Sequence, residues 1–411
     1  MKRILIHSLI FSPDGVSTAY LYNDIALRLK ERGYEVVVLT TTPHFNIVPE
    51  QVEKQPMKWK VWSLCKISDF HGIRVLHVPQ KKFKSTILRL VGFCYWHFVS
   101  FFIGLTIRHI DLILSPSPPL TIGCLNITLA RLKGCKVVYN VQEIYPDILK
   151  LKGGVVLKYL RWIEKKVYNR SDAVTTIDKV FYDTIAPRFK DLAKLHIIPN
   201  FVDTELYHKV VWEGDLDSTL FPKNDNIKLL YAGNIGHAQS WEPLVALAEK
   251  TRDLNVEYIV IGEGAKRGYV EEEIKKRGLE KLRLLPYQPR ELMPAILSYS
   301  DLSFIFMATE MDGDGFPSKV YTIMACERPM LILSGKNTPI VKFLEGKGCA
   351  KIITEQAFDK KVDEVVDWLK SVTKARLKEM GKKGLSEIQS NYTKEIVTGK
   401  YADLVKSLIG E

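Results

Sequence analysis

The chain opens with a β-branched run, Arg3–His7, then an amphipathic stretch, Ala19–Arg32, and a second β-branched run, Glu35–Thr40. In the stretch between the strands, Leu21, Ile25, Ala26 and Leu29 recur at helical spacing, and Gly33 ends it. Strand, helix and strand joined by short turns cannot form a hairpin, so the two strands lie parallel in a doubly wound sheet. The same pattern continues through Ile73–Val78, Leu112–Ser115, Lys136–Asn140, Ala173–Ile177 and Leu195–Pro199. It begins again with Ile227–Ala232, Val256–Ile261, Leu282–Leu285, Leu302–Phe306, Met330–Leu333 and Ala350–Thr354, with helices such as Trp241–Lys250 and Val270–Arg277 between them. The segment Leu206–Asn226, with mixed charge, Pro222 and little periodicity, reads as a linker. A length of 411 residues suits two domains. The expectation is an α/β chain of two Rossmann-like domains facing across a cleft, residues 1–205 and 206–389, each with its ligand crevice at the C-terminal ends of its strands.

Charge is unevenly spread. Residues 1–200 hold 29 Lys and Arg against 15 Asp and Glu, whereas residues 201–411 hold 30 against 32. A basic N-terminal half attracts nucleic acid, anionic lipid or a phosphorylated substrate. No helix-turn-helix, zinc finger or RNA-stacking motif accompanies it, so no nucleic-acid partner is expected. The six cysteines are scattered without a metal-ligand or disulfide spacing, which fits small core residues in a reducing compartment. Met1-Lys2-Arg3 runs straight into the first strand without the order of a secretory signal, and a cytoplasmic location is expected.

Leu90–Ile107 has no formally charged side chain and includes Phe93, Tyr95, Trp96, Phe98, Phe101 and Phe102. Lys81, Lys82, Lys84 and Arg89 precede it and Arg108 follows. Three readings are open: a membrane span at the short limit of length, a buried core helix, or an interfacial helix dipped into lipid. Spanning would put the neighbouring strands Ile73–Val78 and Leu112–Ser115 on opposite sides of a bilayer.

Several strand ends carry ligand chemistry. After the first strand, Ser12-Pro13-Asp14-Gly15 opens a helix, and Gly15 lets the backbone approach a ligand. There is no G-x-G-x-x-G, which argues against a dinucleotide enzyme. Polar groups emerge after Lys136–Asn140, at Gln142, Glu143 and Asp147, and Asn200 and Asp203 follow the seventh strand. In the second half, Gly233, Asn234, Gly236, His237 and Gln239 end one strand and Gly262, Gly264, Lys266 and Arg267 end the next. The glycines would expose N–H groups, and a phosphate would offset two cations at a helix N-terminus. Asp312 to Ala325 carries most weight: a Gly-rich loop with Asp314 and Gly315, then Phe316, Pro317, Ser318 and Lys319, then a helix with Val320, Ile323 and Met324 on one face. Pro317 is expected as the first helical residue, leaving the Ser318 and Lys319 N–H groups for a diphosphate. Asp312-Gly-Asp314 is not read as a metal site, since a helix N-terminus can neutralise a diphosphate and only Glu310 lies nearby in sequence.

Five motifs in this order, Ser-Pro-Pro-Leu (117–120), Ile-Pro-Asn-x-x-Asp (198–203), Gly-Asn-Ile-Gly-His-Ala-Gln (233–239), Ile-Gly-Glu-Gly (261–264) and Pro-Ser-Lys-Val-Tyr-x-x-Met-Ala (317–325), resemble the family 4 glycosyltransferases of the GT-B fold. Within that family the chain resembles the colanic acid, O-antigen and capsular polysaccharide branch of fucosyl- and N-acetyl-fucosaminyl-transferases. The resemblance implies a retaining, metal-independent transfer from a nucleotide-sugar donor, UDP-linked, with no cofactor. The acceptor implied is a glycan or polyprenyl-diphosphate-linked sugar, reached by peripheral association with the inner face of an anionic membrane. It places the base near Tyr287 and Gln288, the ribose near Thr322 and the diphosphate on the Gly233–Gly236 turn and the Ser318 and Lys319 amides. Residues 390–411 are expected to return to the N-terminal domain. The family's Glu-x7-Glu pair falls on Asp314 and Thr322, its Arg and Lys on Asn234 and Gln239, and its N-domain His near Gln142 and Glu143. Asp314, Lys319, Glu143 and Gln142 are therefore the catalytic candidates. A sugar-nucleotide epimerase of the same fold and a degenerate scaffold subunit are the alternatives.

Overall fold

The computed structural model describes residues 1–45, 47–59, 64–81, 85–308 and 316–410. The chain divides into two units, Met1–Asn200 with Glu395–Glu411, and Phe201–Lys394.

The first unit runs β1 (Arg3–His7), α1 (Ser17–Glu31), β2 (Glu35–Thr41), α2 (Pro49–Lys54), β3 (Lys58–Trp59), β4 (Lys66–Phe70), β5 (Ile73–Val78), α3 (Thr86–Thr106), β6 (Leu112–Pro116), α4 (Leu120–Lys133), β7 (Lys136–Val141), α5 (Val155–Arg170), β8 (Ala173–Thr176), α6 (Lys179–Ile185) and β9 (Leu195–Ile197). The second runs β10 (Ile227–Ala232), α7 (Glu242–Lys250), β11 (Val256–Ile261), α8 (Arg267–Arg277), β12 (Leu282–Leu285), α9 (Met293–Tyr299), β13 (Leu302–Phe306), α10 (Lys319–Ala325), β14 (Met330–Leu333), α11 (Pro339–Leu344), β15 (Ala350–Ile353), α12 (Phe358–Ser371) and α13 (Lys374–Asn391), before α14 (Lys394–Ile409).

The first sheet has the order β3-β4-β5-β2-β1-β6-β7-β8-β9. Ile4 pairs in parallel with Val36 on one side and Leu112 on the other. The central strands are apolar on both faces, with Ile4, Leu5, Ile6, Val38 and Leu39 fully buried, as a sheet covered on both sides requires. One correction to the all-parallel expectation lies at the edge, where β4 pairs antiparallel with β5 and β3 with β4. These strands escape a pattern reading because β3 has two residues, both exposed, and β4 has only Ile67 and Phe70 apolar among Lys66, Ser68 and Asp69.

From β5 to β6, β7 and β8 the chain always steps the same way across the sheet, so right-handed crossovers put α3, α4 and α5 on one face. The step from β1 to β2 is reversed, which puts α1 on the other face. α4 packs between α3 and α5. The apolar stretch Leu90–Ile107 is thus part of a helix layer, and β6 is hydrogen-bonded to β1 within the sheet that also contains β5. That placement is incompatible with a span. One stripe of α3 is buried, with Trp96 at 0% and Val99 and Ile103 at 6% exposure, while Ile87, Leu90, Val91, Phe98 and Phe102 are exposed. It is half core helix and half apolar surface.

The second sheet has the order β12-β11-β10-β13-β14-β15, all parallel. Alternate residues feed two cores: Leu229, Tyr231, Tyr258 and Val260 enter one, and Leu230, Ile259 and Ile261 enter the other. The segment expected as a linker, Leu206–Asn226, is instead folded onto the second core. Phe221 and Leu216 are buried there, with Tyr207, Val210 and Trp212 against them. Its apolar residues lack a period because they cap a finished sheet rather than line a helix or strand.

Candidate functional site

The motifs at the ends of β10 and β11 converge because the two strands are adjacent and in register, Ala232 beside Ile261. The loops beyond them remain zipped. Gly233 N–H donates to Ile261 O at 2.9 Å, Ile235 N–H to Glu263 O at 2.8 Å and Lys266 N–H to Ile235 O at 2.8 Å. Only glycine fits at two points of this zipper. A Cβ on Gly262 (φ +143°) would lie 1.9 Å from Gly233 O, and one on Gly264 (φ +155°) 2.4 Å from Ile235 O. These glycines were expected to admit a ligand to the backbone; what they admit is the neighbouring loop.

Lys319 reaches this loop from the N-terminus of α10. Its ammonium donates to Ala232 O at 3.0 Å and sits 3.8 Å from the centroid of the Tyr231 ring. It runs beneath Gly233, where a Cβ would meet Nζ at 2.6 Å. Burial of this charge pulls its pKa down to about 7. The Tyr231 hydroxyl, its own pKa raised by burial, donates to Asn234 O at 2.6 Å and fixes the turn. Asn234 and His237 stand exposed on the same turn, and Gly236 is buried, its carbonyl accepting from the Trp241 indole at 3.0 Å. Gln239 pairs its backbone with Met307 and leaves its buried Oε1 without a hydrogen-bond partner.

Three expectations need correction. α10 starts at Lys319 with Ser318 as its N-cap, so Pro317 lies outside the helix. Pro317 O accepts from Val320 N–H at 3.0 Å in a tight turn, and the Phe316 ring is drawn into an aromatic cluster with Tyr321 and Phe343. Phe316 is a packing side chain, so only its backbone is left for a ligand. Arg267 is not a spare phosphate cation, because its guanidinium donates to Gly262 O at 2.6 Å and Leu285 O at 3.1 Å. Lys266 lies over the Tyr269 ring at 5.6 Å. Thr322 spends its hydroxyl proton on Lys319 O at 2.9 Å, which leaves the oxygen as an acceptor. Tyr287 is exposed beyond β12, and Gln288 donates to Pro286 O at 3.2 Å. Asp314 and Gly315 lie outside the described residues. Among the described residues no cluster of three or more His, Cys, Asp or Glu could hold a metal.

In the first unit, Gln142 and Glu143 follow β7. Gln142 is locked, contrary to a catalytic role for its amide. It donates to Asn140 Oδ1 at 2.9 Å and Asn200 Oδ1 at 3.1 Å, and accepts from Asn200 Nδ2 at 3.0 Å. Asn140, fully buried, accepts from the Tyr22 hydroxyl and donates to Thr175 at 2.8 Å and Tyr401 at 2.9 Å. This network ties α1, β7, β8 and α14 together. Its one sequence sign is an amide closing a β-branched strand. Replacing Asn140 with alanine strands several buried groups, and a loss of about 2–4 kcal/mol in urea unfolding is expected, against under about 1 for an exposed site. Glu143 differs from Gln142: burial raises its carboxyl pKa and the Tyr145 hydroxyl bonds to it. Asp147 is engaged by Arg161 and by Arg188, the latter at 2.6 Å. Gly15 lies partly buried between Asp14 and α1; Asp14 accepts from the His44 and Phe45 N–H groups at 2.9 and 2.8 Å.

The comparisons with known proteins agree with this architecture. Residues 19–206 match the family described as Glycosyltransferase Family 4, and residues 215–384 the family described as Glycosyl transferases group 1. The chain is 25% identical over 346 residues to the putative colanic acid biosynthesis glycosyl transferase WcaI of Escherichia coli K12, covering 79% of this chain and 81% of that protein. It is 23% identical over 318 residues to the probable glycosyltransferase WbjE of Pseudomonas aeruginosa, covering 74% and 76%. Among solved structures, sucrose-phosphate synthase of Thermosynechococcus elongatus superposes with a TM-score of 0.77 at 13% identity over 99% of both chains. Anabaena HepE, solved in complex with UDP, superposes with a TM-score of 0.72 at 14% identity over 99% of this chain and 100% of that one. With a glycosyltransferase family match over each sheet unit and the same fold across nearly its whole length, the chain is a glycosyltransferase of the GT-B fold, its first unit matching Glycosyltransferase Family 4.

Proposed function

We propose that this chain moves a sugar from a UDP-sugar to a glycan or polyprenyl-diphosphate-linked acceptor, with retention at the anomeric carbon and without a metal, in the building of a cell-surface polysaccharide. The observation that carries the reading is Lys319, a half-buried lysine whose ammonium is held against Ala232 O and Tyr231 beneath the Gly233 turn. An ammonium kept out of water has few protein charges to satisfy it and gains most from an incoming anion. A diphosphate on the Gly233 turn supplies that anion. The pyrophosphate would be met by the Gly233–Gly236 backbone, the Ser318 and Lys319 N–H groups and the Lys319 ammonium. Asn234, His237 and the Thr322 oxygen are assigned to polar contacts with the donor, and the family resemblance assigns Asp314 to the sugar. Tyr287 and Gln288 are assigned to the base. Charge accumulates on the β-phosphate as the sugar leaves, so this fixed cation acts most strongly on the departing group. Glu143, with its raised pKa and its Tyr145 partner, is the first-unit residue assigned to the acceptor hydroxyl's proton.

The names of the relatives support the pathway class: colanic acid biosynthesis for one, with UDP bound in a structural neighbour. The basic first unit and the exposed stripe of α3 support peripheral association with the inner face of an anionic membrane. A thermal-shift panel of UDP-, GDP- and ADP-sugars tests the donor. At a hundred times its dissociation constant the right donor adds about 2.7 kcal/mol, a rise of several degrees, and the others add little. Equal shifts from all three would defeat the UDP assignment. Sugar transferred to a lipid-linked acceptor supports the reaction; an epimerised free nucleotide sugar overturns it.

A further inference from the structure

Just beyond β7, residues 149–170 hold seven Lys or Arg and one acid, Glu164. Glu164 is 1% exposed and ion-paired inward with Arg161 and Arg188, so no carboxylate from this segment offsets its surface charge. The inner face of α5 is spent on the core through Ile163, Val167 and Tyr168. Its outer face is nevertheless apolar: Val155 is 83% exposed, Val156 64%, Tyr159 58% and Trp162 56%. Tyr159 and Trp162 stack, ring centroids 5.9 Å apart at 20°, and Lys166 lies 4.6 Å over the indole. The chain enters α5 through Gly153 and Gly154, both at positive φ, where an added Cβ would meet nothing within 4 Å, and this exposed turn alternates Leu149 and Leu151 with Lys150 and Lys152. Three layers follow along the segment: an apolar tip, an aromatic pair and a set of lysines.

We propose that α5 and the turn before it are a second membrane-docking element of the first unit, and that the surface it takes is the anionic headgroup layer of a bilayer. Charge complementarity selects that occupant. Lysines around an aromatic pair meet lipid phosphates while the rings sit at headgroup depth and the Leu149–Val156 tip enters the acyl boundary. The exposed stripe of α3 belongs to the same helix layer, with Leu132 of α4, 64% exposed, between the two. The inference rests on the peripheral-membrane reading and adds that α3 alone is insufficient.

The test uses the full chain and sedimentation with phosphatidylcholine vesicles, with and without phosphatidylglycerol, at low and high salt. Wild type should partition to the anionic vesicles and release at high salt. The double variant Tyr159→Ser/Trp162→Ser should bind at least about tenfold more weakly, and Lys150→Glu/Lys152→Glu/Lys158→Glu should lose the preference for anionic lipid. All these side chains are exposed, so the unfolding midpoint and transfer to a water-soluble acceptor should match wild type. If Tyr159→Ser/Trp162→Ser binds like wild type while Phe98→Ser/Phe102→Ser does not, α3 is the membrane element and this inference is wrong. Wild type that ignores anionic vesicles defeats the membrane reading as well, and leaves a protein as the occupant of this face.

Discussion

Valine in place of Gly262 is expected to destabilise the second unit by about 2–5 kcal/mol. Two terms add. The backbone at φ +143° is one that a β-branched residue avoids, at roughly 1–2 kcal/mol. The new Cβ would also lie 1.9 Å from the carbonyl oxygen of Gly233, which is backbone and cannot rotate away. The loops after β10 and β11 must then part, breaking the Gly233–Ile261 and Ile235–Glu263 hydrogen bonds. A fall of about 5–15 °C in unfolding midpoint should accompany it. Gly268, in α8 with nothing within 4 Å of a Cβ, is the control. Gly268→Ala should leave stability unchanged or raise it by up to about 1 kcal/mol. If Gly262→Val unfolds with wild-type parameters, the zipped loops are not what holds this end of the sheet together.

Lys319→Met should act on function and not on folding. Transfer is expected to fall about 100-fold in kcat/KM, about 2.7 kcal/mol of transition-state stabilisation, because the departing diphosphate loses its buried cation. Methionine fills the slot beneath Gly233 without a charge, so the fold should be as stable as wild type or more so. The pH dependence carries the sharper signature. The folded pKa near 7 lies below the ordinary lysine value of about 10.4. Between those two values the unfolded chain binds the extra proton, so wild-type stability rises with pH across that window relative to Lys319→Met, and below about 7 the difference is constant. Donor affinity runs the other way. The ammonium form binds the diphosphate, so calorimetric affinity for UDP relative to Lys319→Met, a ratio that cancels the terminal phosphate's own titration at about pH 6, should be flat below about pH 7 and decline above it. Among the described residues the groups against Nζ are the Ala232 carbonyl and the neutral Tyr231 ring, and neither titrates in that range. A variant that keeps the wild-type pH profile for UDP would remove Lys319 from the donor site.

The elements themselves were written in the sequence. Strands buried on both faces must be continuous apolar runs, and those runs stand between glycines and amphipathic stretches, so thirteen of the fifteen strands among the described residues coincide with them within two residues. The exceptions are β3 and β4, too short or too polar to leave a run. The motifs also announced anion chemistry, since small residues at strand ends mean exposed backbone. Sequence could not say what each glycine approaches. Gly262 and Gly264 face another loop, and Gly233 faces a lysine 86 positions away. Nor could it separate Gln142 from Glu143, adjacent polar residues after the same strand. Asn200 takes up the first, and burial beside Tyr145 raises the pKa of the second. The reason is common to all of these. Periodicity and turn chemistry act within a few residues, whereas desolvation and partnership depend on which remote atoms the sheet order brings alongside. Residue order alone therefore determined two α/β sheets with parallel centres and polar strand ends, and missed the antiparallel edge of the first. Only the folded chain decided that the Lys319 ammonium lies under Gly233 against Ala232 O and Tyr231, where desolvation pulls its pKa down.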